Sequence, residues 1–377
     1  MSKTVTFDGA APAGTINFGI GQPSADMLPV DLLRTASHAF FDEAQPFELN
    51  YGVTQGDGRF LASLAGFLSK GYGAPVTADD LFVSGGNSQA LDLVSLVFAQ
   101  PGDTVFVEEP SYFLAFQIFR DHDLNIVGIP VDEDGLCVDS LEKELANHHP
   151  AFLYTIPSYH NPGGQSTTEE RRRRVVELAE QHDFLIVADE VYQLLNYFDT
   201  PPPAYGTMID SGRVVSLGSF SKILAPGMRL GWIQTSPELR ELLAGTGFIN
   251  SGGSINHISS LIARQTIDNG SLEAHLATLR TVYRARVEAM DDALQQHFEG
   301  VATWQRPGGG YFFWIHFDAA IDTKAYRQTA REAETGFQPG SLFSSKGELR
   351  NCLRLSFAHY GEQEIREGVA RLAKVLP

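Results

Sequence analysis

The sequence predicts an α/β protein: a large domain with a mostly parallel seven-stranded sheet covered by helices, plus a smaller α+β domain from the N-terminal and C-terminal segments. Three observations predict it. From about residue 80, short β-branched runs alternate with longer amphipathic ones, the pattern of a parallel sheet covered on both faces. Near residue 236 the alternation stops, and a long helical pattern spans about 271–298. The 377 residues, 43% of them hydrophobic, suffice for two domains or for one large domain with a satellite.

The first strand, LFV (81–83), leads into SQALDLVSLVFAQ, and TVFVEE (104–109) into SYFLAFQIFRDHD, with NIVGIPVD after it. AFLYTIP (151–157) leads through TTEERRRRVVELAEQHD to FLIVADEVY (184–192), and RVVSLGS (213–219) and RLGWIQT (229–235) complete the seven strands. Beyond the long helix, GGGYFFWIHF and CLRLSFAH read as strands and GEQEIREGVARLAKVL as a closing amphipathic helix. The first forty or so residues are strand-poor and marked by Gly and Pro, so they are expected to join the smaller domain. The division is 1–45, 46–270 and 271–377. RRRR at 171–174 comes after TTEE in a helix and is expected to be a solvated face.

Composition excludes several classes. Lys and Arg number 28 against 46 Asp and Glu, a formal charge of −18. Such a surface repels phosphate backbones and anionic lipids, so neither nucleic acid nor membrane is an expected partner. Cys137 and Cys352, the two cysteines, stand too far apart in sequence for a disulfide framework and have no zinc-ligand spacing. The start of the chain has no apolar leader and no apolar run reaches membrane-spanning length. A soluble cytoplasmic protein is expected.

In a doubly wound sheet, ligands sit at the carboxyl ends of the strands. SGGNSQALD (84–92) runs a glycine pair into a helix start, where backbone amides can hold a phosphate and Asn87 and Ser88 can add donors. Alone, a Gly-Gly turn with an Asn or Ser cap is common. Tyr112 could stack on a planar ligand or be a core ring, and Asn161 before Pro162 could be turn chemistry only. Asp189 is more telling. It ends an apolar strand, so its carboxylate is desolvated and needs a donor or cation; a protonated heterocycle would supply one. Lys222 stands between Ser219, Ser221 and Arg229, where a nearby cation and burial would both lower its pKa and make it a nucleophile. A phosphate cradle, a stacking ring, a buried carboxylate and an amine are together the parts that pyridoxal phosphate requires.

On these motifs the chain resembles the fold-type-I pyridoxal-phosphate enzymes of the class I/II aminotransferase family, in particular the 2-aminoadipate aminotransferase branch with the aminotransferase-like half of MocR regulators. The resemblance runs from NFGIGQPSADMLP through YGVTQGDGRF, SGGNSQALDL, HNPGG, VADEVY and SFSKILAPGMRLGW to CLRLSFA. It implies pyridoxal 5'-phosphate on Lys222 as an aldimine, with Asp189 at the ring nitrogen and Tyr192 and Asn161 at the phenolic oxygen. Tyr112 matches the stacking position, and Gly86, Asn87, Ser88, Ser219, Ser221 and Arg229 fall where the phosphate is held. Arg354 matches the grip on the substrate α-carboxylate, with Gly21, Asn161 and Tyr112 also at the substrate. Tyr51 matches a residue that reaches the neighbouring subunit's phosphate, which implies a homodimer with shared sites.

The implied reaction is ping-pong transamination between an L-amino acid and a 2-oxo acid. The same constellation supports elimination, decarboxylation or oxidation, and a non-catalytic sensor related to MocR regulators. Two departures stand out: GDGRFLASLAGFL lacks the usual arginine after the Tyr-Gly motif, and Asn87 replaces a small hydroxyl. With no second arginine motif for a distal carboxylate, and a polar, uncharged INSGGSINHIS (249–259), the substrate is expected to be neutral, aromatic or aliphatic. The resemblance keeps 2-aminoadipate open.

Overall fold

The β-rich runs are apolar at almost every position because the sheet they form is covered on both faces. The computed structural model describes residues 14–377; the reading of the extreme N-terminus, and the first thirteen residues of the 1–45 segment, lie outside the described residues. The strands are β1 (Leu81–Ser84), β2 (Thr104–Glu109), β3 (Asn125–Asp132), β4 (Pro150–Thr155), β5 (Leu185–Asp189), β6 (Val214–Ser219) and β7 (Gly231–Thr235). They lie in the order β1-β7-β6-β5-β4-β2-β3. A two-residue arm, Gly135–Leu136, pairs antiparallel with the end of β3 as an eighth member. All other pairings are parallel except those of β7, which runs antiparallel to both β6 and β1. Every residue of β1, β5, β6 and β7 is buried.

The antiparallel course of β7 shapes one rim of the sheet. It brings Gly231 opposite both Ser219 and Ser84, so the chain between β6 and β7 is a loop fastened at both ends to that rim. Only glycine fits at the meeting point: a Cβ on Gly231 would lie 2.6 Å from the Gly218 carbonyl oxygen and 2.9 Å from the Gly86 Cα.

A second, antiparallel sheet has the order β8-β9-β11-β10, from Ala302–Trp304, Phe312–Phe317, Gln338–Pro339 and Cys352–Ser356, numbered β8 to β11 along the chain. Near the N-terminus, Ile16–Asn17 pairs with Thr335–Gly336, while the helix Val30–Glu43 packs on His257–Asp268. The long helix Ser271–Phe298 packs against Glu362–Leu372. Both cysteines are free, Cys352 buried and Cys137 half-buried. Among the described residues, no helix is long and apolar enough to cross a membrane and no side-chain cluster could hold a metal.

The expectation of a solvated face over 171–174 fails at Arg172. The helix Glu169–His182 buries Arg172, Val175, Leu178 and Ala179, one stripe of the helical period. Arg171, Arg173 and Arg174 form surface ion pairs, but Arg172 is 0% exposed.

Candidate active site

A cavity of about 350 Å³ opens at the carboxyl ends of β5 and β6 and is closed on the far side by Phe312 and Arg354 of the second sheet. One end is an anion cradle. The helix Asn87–Phe98 begins there, and the first amides of a helix have no partner within it. Gly86 precedes it at φ +85°, a backbone shape that favours glycine, and a Cβ there would come within 3.4 Å of the Arg229 Nη2. Arg229 closes the cradle and is steadied by the Gly85 carbonyl, which accepts from Nη2 at 3.2 Å. Ser219 donates to the Ser221 hydroxyl at 2.9 Å, so both hydroxyls stand at the same rim. Amides, hydroxyls and a guanidinium make a donor-rich lining suited to a phosphate dianion.

Lys222 lies on the same loop. Its Nζ donates to the Gly21 carbonyl at 2.9 Å and lies 5.0 Å from the centre of the Tyr311 ring. Part of its surface opens onto the cavity, and the rest is packed in protein. Burial, with the charge of Arg354 adding to it, pushes the amine down to about 8, against a smaller opposing pull from Asp189. A minor but usable fraction is therefore neutral near physiological pH, the form that attacks a carbonyl.

Asp189 ends β5 and is 5% exposed. Tyr154 of β4 donates to Oδ2 at 2.9 Å, and the side-chain amide nitrogen of Asn87 donates to Oδ1. Burial holds the carboxyl above its usual range, with the two donors acting against it. The side chain of Asn87 is thus turned to Asp189 and away from the anion cradle, which its backbone still borders.

Arg354, in β11, is 4% exposed. It lies 3.9 Å from the centre of the Phe312 ring and donates to the Asn161 Oδ1 at 2.8 Å and to the Gly19 carbonyl at 3.2 Å. Its Nε is buried without a partner, and no carboxylate among the described residues pairs with it. Burial pushes this guanidinium down to about 10. Tyr192, buried against Tyr311 and Phe312, and Tyr112, half-buried at the head of the helix Phe113–Asp121, complete the walls.

The cavity therefore gathers Gly21, Asn87, Ser88, Tyr112, Asn161, Asp189, Tyr192, Ser219, Ser221, Lys222, Arg229 and Arg354. Gly86 stands just behind Arg229. Tyr51 does not reach it within one chain and is 83% exposed. Sequence reasoning missed Tyr154, Tyr311, Phe312, Gln22 and Gln338. Tyr154 had a usable signal, since a phenol in the middle of an apolar strand needs a polar partner. The glutamines carry none.

These parts fit pyridoxal 5'-phosphate: donors at one end, a buried carboxylate at the other, an amine between them, and an unpaired guanidinium opposite. Known proteins agree. Residues 13–372 match the family model for aminotransferase class I and II. An aromatic-amino-acid aminotransferase of Thermococcus litoralis is 34% identical, over 96% of this chain and 88% of its own. The crystal structure of a multiple substrate aminotransferase from Thermococcus profundus superposes with a TM-score of 0.91 at 32% identity, covering 100% of this chain and 97% of that one. LysN, an α-aminoadipate aminotransferase of Thermus thermophilus solved with N-(5'-phosphopyridoxyl)-L-leucine, gives 0.88 at 29% identity, covering 97% and 92%. The chain belongs to the class I and II aminotransferases and is an enzyme that works with pyridoxal 5'-phosphate.

Proposed function

We propose that the enzyme moves the amino group of a neutral, aromatic or aliphatic L-amino acid to a 2-oxo acid in two half-reactions of ping-pong type, with Lys222 as covalent anchor of the cofactor and carrier of the proton. The observation that carries this reading is Arg354: a buried cation with an unpartnered Nε and, among the described residues, no carboxylate of its own. A substrate α-carboxylate satisfies it bidentately. Lys222 and Arg354 meet at Gly21, whose carbonyl accepts from Nζ and whose Cβ, if it had one, would lie 3.6 Å from the Arg354 Nη2. Carboxylate and α-carbon are thereby held at once.

When bound, the cofactor supplies an aldehyde that condenses with amines and a ring that accepts the electrons of a broken bond. The protein does the rest. Arg229, Ser219, Ser221 and the helix-start amides beside Gly86 and Ser88 would hold the phosphate, Tyr112 would stack on the ring, and Tyr192 and Asn161 would serve the phenolic oxygen. Asp189 would hold a proton on the ring nitrogen. Lys222 Nζ, neutral often enough at pH 7 to 8 to act as a base, would take the proton from the substrate α-carbon and would return it on the cofactor side.

The lining supports a neutral side chain: among the described residues, it contains no Lys, Arg or His besides Lys222, Arg229 and Arg354 that could meet a distal carboxylate. The aromatic-amino-acid enzyme among the relatives points the same way, and LysN, an α-aminoadipate aminotransferase, was solved with a leucine adduct. A homodimer is part of the proposal. Phe41, Phe47, Leu49, Tyr51 and Phe248 are all more than half exposed, and the segments that carry the last four of them meet where Gly52 packs on Gly253 and His257. Asn256 from this patch donates to the Arg229 carbonyl, which supports a reading in which a second copy brings its Tyr51 beside a cradle. Two unpaired cysteines suit a reducing, cytoplasmic compartment.

The test is steady-state kinetics on a panel of amino acids with several 2-oxo acids, beside light scattering. Parallel double-reciprocal lines, with tyrosine, phenylalanine or leucine preferred over 2-aminoadipate, are expected. Release of ammonia, carbon dioxide or peroxide without a product amino acid would turn the reading to a lyase, a decarboxylase or an oxidase.

A further inference from the structure

We infer that Tyr154 and Asn87 are a pair of positioning residues that act through Asp189: two neutral donors, one on each carboxylate oxygen, which keep Asp189 anionic with no cation of the protein bonded to it and so keep the proton on the cofactor's ring nitrogen. The inference rests on the reading of Asp189 as the partner of that nitrogen.

The geometry is specific. Tyr154 pairs with Val187 across β4 and β5, and Asp189 lies two residues further along β5. Residues two apart on a strand share a face, so the phenol reaches the carboxylate as a diagonal neighbour. The Tyr154 ring is 0% exposed and packed edge-on against Phe119 at 5.5 Å, so its hydroxyl has little freedom to swing away. Burial raises this phenol well above its usual range, and it stays a donor at every working pH. Asn87 comes from the opposite side, at the first turn of the helix Asn87–Phe98. Its nitrogen must face Asp189, because the amide oxygen would repel the carboxylate.

No salt bridge involves Asp189 among the described residues. A fully desolvated carboxylate of that kind tends to take up a proton, and burial does hold this one above its usual range while Asn87, Tyr154 and the Val191 amide pull it back. The direction decides the chemistry. Donors to the anion make Asp189 a weaker base, so a proton shared with the ring nitrogen stays on the nitrogen. Removing a donor makes the carboxylate more basic and draws the proton across. The inference also accounts for the departure of Asn87 from the small hydroxyl expected at its position: a serine is too short to span from the helix start to β5. Its backbone borders the anion cradle while its side chain holds the carboxylate, so one residue fixes both ends of the cofactor's bed.

The experiment loads wild type, Tyr154→Phe, Asn87→Ser and Asp189→Ala with cofactor carrying 15N in the ring and records the nitrogen chemical shift against pH. Melting of the cofactor-free forms checks that each variant folds. Asp189→Ala is expected to give a neutral ring nitrogen. The two donor variants are expected to move the signal part of the way toward the neutral ring across the pH range in which the site holds its shared proton, because the proton passes from the nitrogen to the carboxylate within the site. They should also cut kcat by about tenfold to a hundredfold, the loss of one hydrogen bond to a charged group, with KM for the amino acid nearly unchanged. Should Asp189→Ala move the signal while both folded donor variants keep the wild-type shift, Tyr154 and Asn87 are packing residues and the inference falls alone. If Asp189→Ala leaves the shift in place, the reading of Asp189 falls first and takes the inference with it. A Tyr154→Phe protein that does not fold leaves the decision to Asn87→Ser.

Discussion

Two buried arginines, Arg172 and Arg354, show how the same side chain can serve opposite ends. Arg172 is enclosed between the helix Glu169–His182 and the sheet, and protein atoms meet it on every side. Nε donates to the Thr167 carbonyl at 2.9 Å, Nη1 to Pro203 at 2.9 Å, and Nη2 to Pro157 at 2.7 Å and to the Ser158 hydroxyl at 2.8 Å. Glu190 stands 3.8 Å away as counter-charge. Arg354 has two acceptors, an idle Nε, and aromatic faces where a carboxylate would otherwise be. A buried cation with all three nitrogens bonded and a counter-charge beside it is architecture; one left short of an anion is, on the proposed reading, a binding site. The difference lies in the neighbours, since both guanidinium groups are nearly inaccessible.

That contrast can be broken in order of expected effect. Arg172→Leu should destabilise the protein by about 3–5 kcal/mol, because it strands Glu190 and several carbonyls in the core. Denaturant unfolding of the cofactor-free protein measures it, and a loss below about 1 kcal/mol would erase the distinction. Arg354→Leu should do the reverse: unfolding within about 1 kcal/mol of wild type, yet kcat/KM for amino acids down by about a hundredfold to a thousandfold, as expected for losing a bidentate charge-assisted contact. Lys222 sharpens the comparison with a smaller effect. Its folded pKa of about 8 lies below the ordinary 10.5, so between these values the unfolded chain binds more protons and the lysine's contribution to stability rises with pH. The cofactor-free Lys222→Met variant should be more stable than wild type below pH 8, and the gap should shrink toward pH 10.5. A gap independent of pH would show an amine of ordinary basicity.

Much of the fold and the site was legible in the sequence. The seven strands, Asp189 at the end of one and Lys222 just past another all emerge from where apolar runs stop, because a parallel sheet presents those ends to ligands. The resemblance added Arg354, which no periodicity could single out. What escaped has physical reasons. RRRR reads as solvent-facing by charge, but Arg172 stands three residues before Val175 and six before Leu178, so the helical period had already put it on the buried stripe. Tyr154 hides in AFLYTIP as one more core ring, and its partner becomes visible only when the register of β4 against β5 is known. Asn87 was read by its neighbours, the glycines, when its side chain answers to a strand 102 residues away.

Gly21 has a consequence for what the enzyme can accept. Its carbonyl touches the lysine amine, and its bare Cα faces the arginine across a gap that a single methyl group would narrow to 3.6 Å. The lysine belongs to a loop clamped to the large sheet, the arginine to a strand of the other sheet. On the proposed reading, a substrate gripped by the arginine with its α-carbon beside the lysine would be a strut between the two sheets, and the carboxylate and α-carbon are directly bonded. Such a site would act as a caliper: it would gauge the carboxylate and the carbon next to it first, and leave the rest of the molecule to the walls.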